Sequence, residues 1–130
     1  TRAGWRGWTG RATVEMHPEQ ERDMTLSGGD VVRLSDLLAY QEGSVVSRQL
    51  VKNASGGVTL FAFATGEGLS EHTTPHDALI VVLDGKADIT VLGATHAVGA
   101  GEAIFLPGGK PHAVAAPEAF TMLLVMLKNA

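Results

Sequence analysis

Gly66-Glu67-Gly68-Leu69-Ser70-Glu71-His72-Thr73-Thr74-Pro75-His76-Asp77-Ala78 leads, through two apolar runs, into Gly101-Glu102-Ala103-Ile104-Phe105-Leu106-Pro107-Gly108-Gly109-Lys110-Pro111-His112. Three of the chain's five histidines fall in these two stretches. The runs between them, residues 78–83 and 87–92, are joined by Asp84-Gly85, a strong hairpin signal. Imidazoles on short strands, separated by glycine turns, let a small all-β domain aim several nitrogen donors at one interior point.

The same texture extends in both directions. Residues 44–52 and 58–64 read as strands, separated by Asn53-Ala54-Ser55-Gly56-Gly57. Residues 95–98, 103–106, 112–115 and 120–127 complete the set. A short strand over 30–34 and one helical turn over 35–40, with Ser35 as its N-cap, precede them. Sixteen glycines and five prolines supply the turns that many short strands require, so the class is all-β, a sandwich or barrel.

Residues 1–28 read differently. Trp5 and Trp8 stand among Arg2, Arg6 and Arg11, and a polar run follows from His17 to Asp23. This is an N-terminal arm, anchored by tryptophans that can each bury about 150–250 Å2. Residues 29–130 are the single domain. Two of its runs, 79–83 and 122–127, are apolar on both faces. A strand of that kind needs two dry neighbours. One is the interior, and the other is a second subunit or the arm, so a homodimer is expected.

Composition narrows the function. The chain has no cysteine, which excludes disulfides and thiolate metal ligation. A net charge of −4 and a pI near 5.6 give no concentrated basic surface, so no nucleic-acid partner is expected. No apolar run reaches the ~18 residues that span a bilayer, and none follows the N-terminal arginines. The expectation is a cytoplasmic protein with no membrane partner.

With the strands in this order, the two histidine stretches resemble the paired motifs of the cupin family, small double-stranded β-helix (jelly-roll) proteins. The family's first motif is G-x5-H-x-H-x3,4-E-x6-G; this chain reads Gly66-x5-His72-x-Thr74-x3-Ala78-x6-Gly85. The second is G-x5-P-x-G-x2-H-x3-N; this chain reads Gly101-x5-Pro107-x-Gly109-x2-His112-x3-Ala116. The resemblance covers roughly residues 29–128 and implies a jelly-roll cupin barrel with the N-terminal arm outside it. It also implies a divalent metal held by two histidines and a glutamate of the first motif and the histidine of the second. Here His72 and His112 stand at ligand positions, while Thr74 and Ala78 replace the other two.

His76 offers a substitute. In a regular strand it shares the parity of His72, although Pro75 interrupts just before it. A His72–His76–His112 site with one open position suits a divalent transition metal such as zinc, iron, manganese or nickel. Thr74 is a poor ligand and would orient water. Arg48 shares a face with Val46 and Leu50, and an arginine there needs an anion, whether a ligand or an internal carboxylate. Phe61 and Phe63 share one face and line the pocket if that face looks inward. Asp77 reads as an outside position, His96 as a core or wall residue, and Met122 and Met126 as core.

Three functions fit this reading. One is a small metal-dependent enzyme. Another is a metal-free binding module whose imidazoles, with Arg48, hold a small polar or anionic molecule. The last is a scaffold that assembles through the tryptophan arm. Fold alone does not choose among them.

Overall fold

The computed structural model describes residues 25–128; the Trp5/Trp8 arm lies outside the described residues. Among the described residues there are nine strands: β1 (Val45–Asn53), β2 (Gly56–Phe63), β3 (Gly68–His72), β4 (Asp77–Asp84), β5 (Lys86–Val91), β6 (Ala94–Gly99), β7 (Ala103–Leu106), β8 (His112–Ala115) and β9 (Phe120–Leu127). They form a five-stranded sheet, β1-β2-β9-β4-β7, and a four-stranded sheet, β3-β8-β5-β6. Every pairing is antiparallel.

Period-2 alternation builds the core. On β4, Ala78, Ile80 and Val82 turn inward, and on β5, Ala87, Ile89 and Val91 do the same. The inner face of β2 contributes Phe61 and Phe63, and that of β9 contributes Phe120, Met122 and the partly buried Leu124. Phe63 stacks on Phe120 with ring centroids 4.5 Å apart and on Phe61 at 5.9 Å.

Asp84-Gly85 does not make a hairpin. β4 lies in the five-stranded sheet and β5 in the four-stranded one, so the chain crosses from layer to layer at this point. Gly85 permits the corner with a φ of +81°. The turn residue was legible; its partner strands were not, because each pairs with strands that are distant in sequence.

The outer face of the five-stranded sheet carries a second apolar cluster. Val46, Leu50, Leu60 and Ala62 are buried there under Leu38, with Leu26, Leu34 and Leu37 packed against them. A bulge in β1 between Gln49 and Val51 leaves Leu50 out of the ladder, and its carbonyl accepts the Leu26 N–H at 2.8 Å. The second dry neighbour expected for β4 and β9 is therefore supplied, over Leu83 and Leu123, by the segment around residues 26–38. That segment holds no strand over 30–34, only a 3-10 turn at Leu34–Asp36. Arg33, not Ser35, occupies its N-cap position, without a side-chain cap bond. Beyond this cover, Leu79, Phe105 and Leu127 remain exposed at 39%, 54% and 56%.

Candidate functional site

His72 closes β3 and His112 opens β8, and the two are direct register partners. Their side chains meet edge to face, with ring centroids 4.3 Å apart. They stand in the wall of a cavity of about 50 Å3 between the sheets. Leu69, Thr74, Ala78, Ile80, Leu106, Val114, Met122, Leu124 and Met126 complete its lining, so it is almost wholly apolar. By volume it holds a few waters or a ligand of a few heavy atoms.

The two imidazoles are electron-pair donors. His72 Nδ1 lies 2.9 Å from the Ser70 carbonyl oxygen. A carbonyl only accepts, so Nδ1 carries a proton, and in the neutral imidazole Nε2 is the atom with the lone pair. His112 has its pKa lowered, first by burial and then by His72 beside it; the Lys110 backbone opposes the shift. That backbone contact falls short of a good hydrogen bond, because the buried Nδ1 of His112 has no partner of acceptable geometry.

This lowered pKa makes stability depend on pH. The unfolded chain takes up a proton on this histidine near pH ~6.5, whereas the folded chain does so only at lower pH. The contribution is fully present above about pH 6.5 and is lost as pH falls toward the folded value. Urea titrations should show the unfolding midpoint dropping more on acidification from about pH 7.5 to about pH 5.5 in the wild type than in His112→Leu. Equal pH slopes in the two proteins would contradict this account.

The three-histidine metal site is not assembled. His76 is absent from the cavity lining, and its Nδ1 is buried without a hydrogen-bond partner. Among the described residues, no three His, Cys, Asp or Glu side chains are grouped to hold a metal ion. The reason is local: β3 ends at His72 and β4 begins at Asp77, so strand parity is lost across Thr73-Thr74-Pro75-His76. The donor set that the family motif implies for zinc, iron, manganese or nickel is therefore not matched here.

Other expected site residues also move. Thr74 does line the cavity, with its hydroxyl donating to the His76 carbonyl at 3.3 Å. Arg48 sits opposite Leu60 on the outer face, with Val46, and so cannot clamp an interior ligand. Phe61 and Phe63 do face inward, but they are packed solid in the aromatic stack and line no part of the cavity. His96 is exposed on β6.

Sequence reading missed the clasp that holds the cavity mouth. Asp77 Oδ1 accepts the Gly108 N–H at 2.8 Å, and the Thr74 carbonyl accepts the Gly109 N–H at 2.7 Å. A Cβ at Gly108 would lie 2.4 Å from the Pro75 oxygen, so the loops of the two motifs pack backbone to backbone. The glycine pair was visible; its partner across the mouth was not.

A wider groove of about 680 Å3 lies on the opposite side of the five-stranded sheet, lined by Leu34, Leu38, Leu60, Leu83 and Thr121 among others. At its end the Tyr40 hydroxyl donates to Asp84 Oδ2 at 2.9 Å. Burial, followed by this bond to a carboxylate, pushes the Tyr40 phenol well above its usual range. The groove thus carries a fixed neutral phenol.

Known proteins place the chain. The family model described as the cupin domain matches residues 59–127. A conserved protein of unknown function from Streptococcus pyogenes is 35% identical, with a TM-score of 0.76 and coverage of 82% of this chain and 93% of that one. A cupin superfamily protein from Desulfitobacterium hafniense is 30% identical, with a TM-score of 0.74 and coverage of 81% and 96%. A cupin 2 conserved barrel domain protein from Leptotrichia buccalis is 42% identical over 72% of this chain and 46% of its own length, with a TM-score of 0.69. No match was found among curated proteins.

Proposed function

This chain belongs to the cupin family, and on that premise we propose that its two sheets are the halves of a jelly-roll barrel that works as a binding module. The observation that carries the reading is the edge-to-face pair of His72 and His112 in the wall of an apolar cavity. Two imidazoles in their neutral form offer lone pairs and no positive charge. Among the described residues, no lysine, arginine or carboxylate lines the cavity. An anion finds nothing there to balance it and is costly to desolvate. The occupant is an electron-pair acceptor: a hydrogen-bond donor on a compact neutral molecule, or a cation. The apolar lining, chiefly Leu69, Ile80, Leu106 and Val114, takes the rest of the ligand.

Ethanol, small enough for the cavity, and acetate are the test probes, followed through imidazole nitrogen shifts in long-range proton–nitrogen NMR at about pH 7.5. Ethanol is expected to move the His72 and His112 resonances and acetate to leave them in place. Perturbation by acetate alone would overturn the reading.

A homodimer is the companion proposal. Phe105 faces Leu79 across β4 and β7, and Leu79 faces Val125 across β4 and β9. This uncharged face fits an equally uncharged surface, and a two-fold axis supplies one by apposing the same patch from a second copy. Sedimentation should give a dimer at micromolar concentration and a monomer for Phe105→Glu. A wild-type monomer under those conditions would refute it.

A further inference from the structure

The groove on the outer face of the five-stranded sheet has what the interior cavity lacks, a charged end. Leu60 of β2, Leu83 of β4 and Thr121 of β9 form its floor, and Leu34 and Leu38, from the segment laid over the sheet, form its wall. Its volume of about 680 Å3 is that of a small-molecule pocket. One end is built from oxygen atoms. Asp84 and Thr121 are register partners across β4 and β9. The Tyr40 hydroxyl donates to Asp84 Oδ2 at 2.9 Å, and among the described residues Asp84 Oδ1 has no partner. Glu118 acts on the same hydroxyl through its charge. Two carboxylates therefore meet at this end. Among the described residues, no lysine, arginine or histidine forms an ion pair with either of them. Arg33, the cation next to Leu34, is engaged by Asp36, its Nε lying 3.7 Å from Oδ2.

We propose that this groove binds a small amphipathic amine, with its hydrocarbon body on the leucines and its ammonium on Asp84. The charge decides the class. An acid would meet two like charges. A neutral apolar molecule would strip water from Asp84 Oδ1 and return no hydrogen bond. An ammonium donates to that oxygen in a charge-assisted bond. The carboxylate is already oriented, because the Tyr40 phenol keeps its proton well above neutral pH and stays a donor to Asp84. The groove shares no lining residue with the cavity of His72 and His112, so the assignment stands apart from the binding-module reading.

The probe is phenethylamine, fully charged at about pH 7.5, titrated at low salt into the full chain. Binding is followed through the ring resonances of Tyr40, the chain's single tyrosine. Saturable binding is expected, at least about fivefold tighter than that of the uncharged analogue phenethyl alcohol. Phenylacetate should not bind. Added salt should weaken the amine and leave the alcohol unchanged. Asp84→Asn keeps the shape, removes the charge and should abolish the preference for amine over alcohol. Asp84 is exposed, so the variant folds. The assignment is overturned if Tyr40 shows no saturable shift, if amine and alcohol bind equally, or if the preference survives in Asp84→Asn. Overhauser contacts between the Tyr40 ring and an indole of the ligand-free chain would put Trp5 or Trp8 in the groove instead. Tyr40 shifts that follow protein concentration would put a second copy there. Either result also overturns it.

Discussion

Phe63→Ala is expected to remove about 3–5 kcal/mol of stability, a large share of the ~5–15 kcal/mol typical of a domain. Phe63 is fully buried and sits in the middle of the three-ring stack, touching Phe61 on its own strand and Phe120 on β9. Its removal forfeits both ring contacts and opens a void between β2 and β9, where two sheet-central strands have little freedom to close it. For a domain of this size the melting temperature should fall by roughly 15 °C or more. Phe63→Leu keeps most of the volume and should cost only about 1–2 kcal/mol. Because Phe63 lies outside the cavity lining, the folded fraction of Phe63→Leu should bind ethanol with wild-type affinity. A drop under about 5 °C for the alanine variant would show that the stack is not the centre of the core.

Gly85→Ala is expected to prevent folding outright, and Gly93→Ala is its control. Both glycines have left-handed φ, +81° and +79°. At Gly93 an added Cβ meets nothing within 4 Å, so only the left-handed strain remains, about 1–2 kcal/mol. At Gly85 the same atom would stand 2.1 Å from the Ala119 carbonyl oxygen and 2.8 Å from Phe120 Cα and Cβ. None of these atoms is the far end of a flexible side chain. Relief requires moving β9 where Phe120 enters the aromatic stack. Circular dichroism and denaturant titration of the two variants separate the terms. Similar stability in both would mean that the corner at Gly85 can relax.

The sequence revealed those features that are local. β1 through β9, apart from β3, were traced to within a residue or two because alternation and glycine punctuation operate over a few positions. β3 is five residues long, with Glu71 and Ser70 exposed and one fully buried side chain, Leu69, so its own pattern is weak. Non-local geometry was not legible. Arg48, Val46 and Leu50 were correctly placed on one face, but whether that face looked inward depended on the rest of the sheet. His76 was joined to His72 by a parity rule that holds only inside an unbroken strand. Met126 was read as core, and its place beside Ala78 needed the β4–β9 register. The motif spacing marks His72 and His112 as candidate site residues, but their being direct register partners needed the β3–β8 pairing.

The position of β9 has a consequence for the growing polypeptide. It is the last described strand to be synthesised, yet it lies in the middle of its sheet, hydrogen-bonded to β2 on one side and β4 on the other. Before residues 120–127 emerge, β1-β2 and β4-β7 are two separate ribbons with open edges, and the cavity lacks the wall that Met122, Leu124 and Met126 supply. Native contacts of long sequence separation must then form together, which slows folding and leaves strand edges unprotected in the meantime. Nascent chains arrested on the ribosome with residue 116 exposed should be digested readily by added protease. Those with residue 128 exposed should resist it.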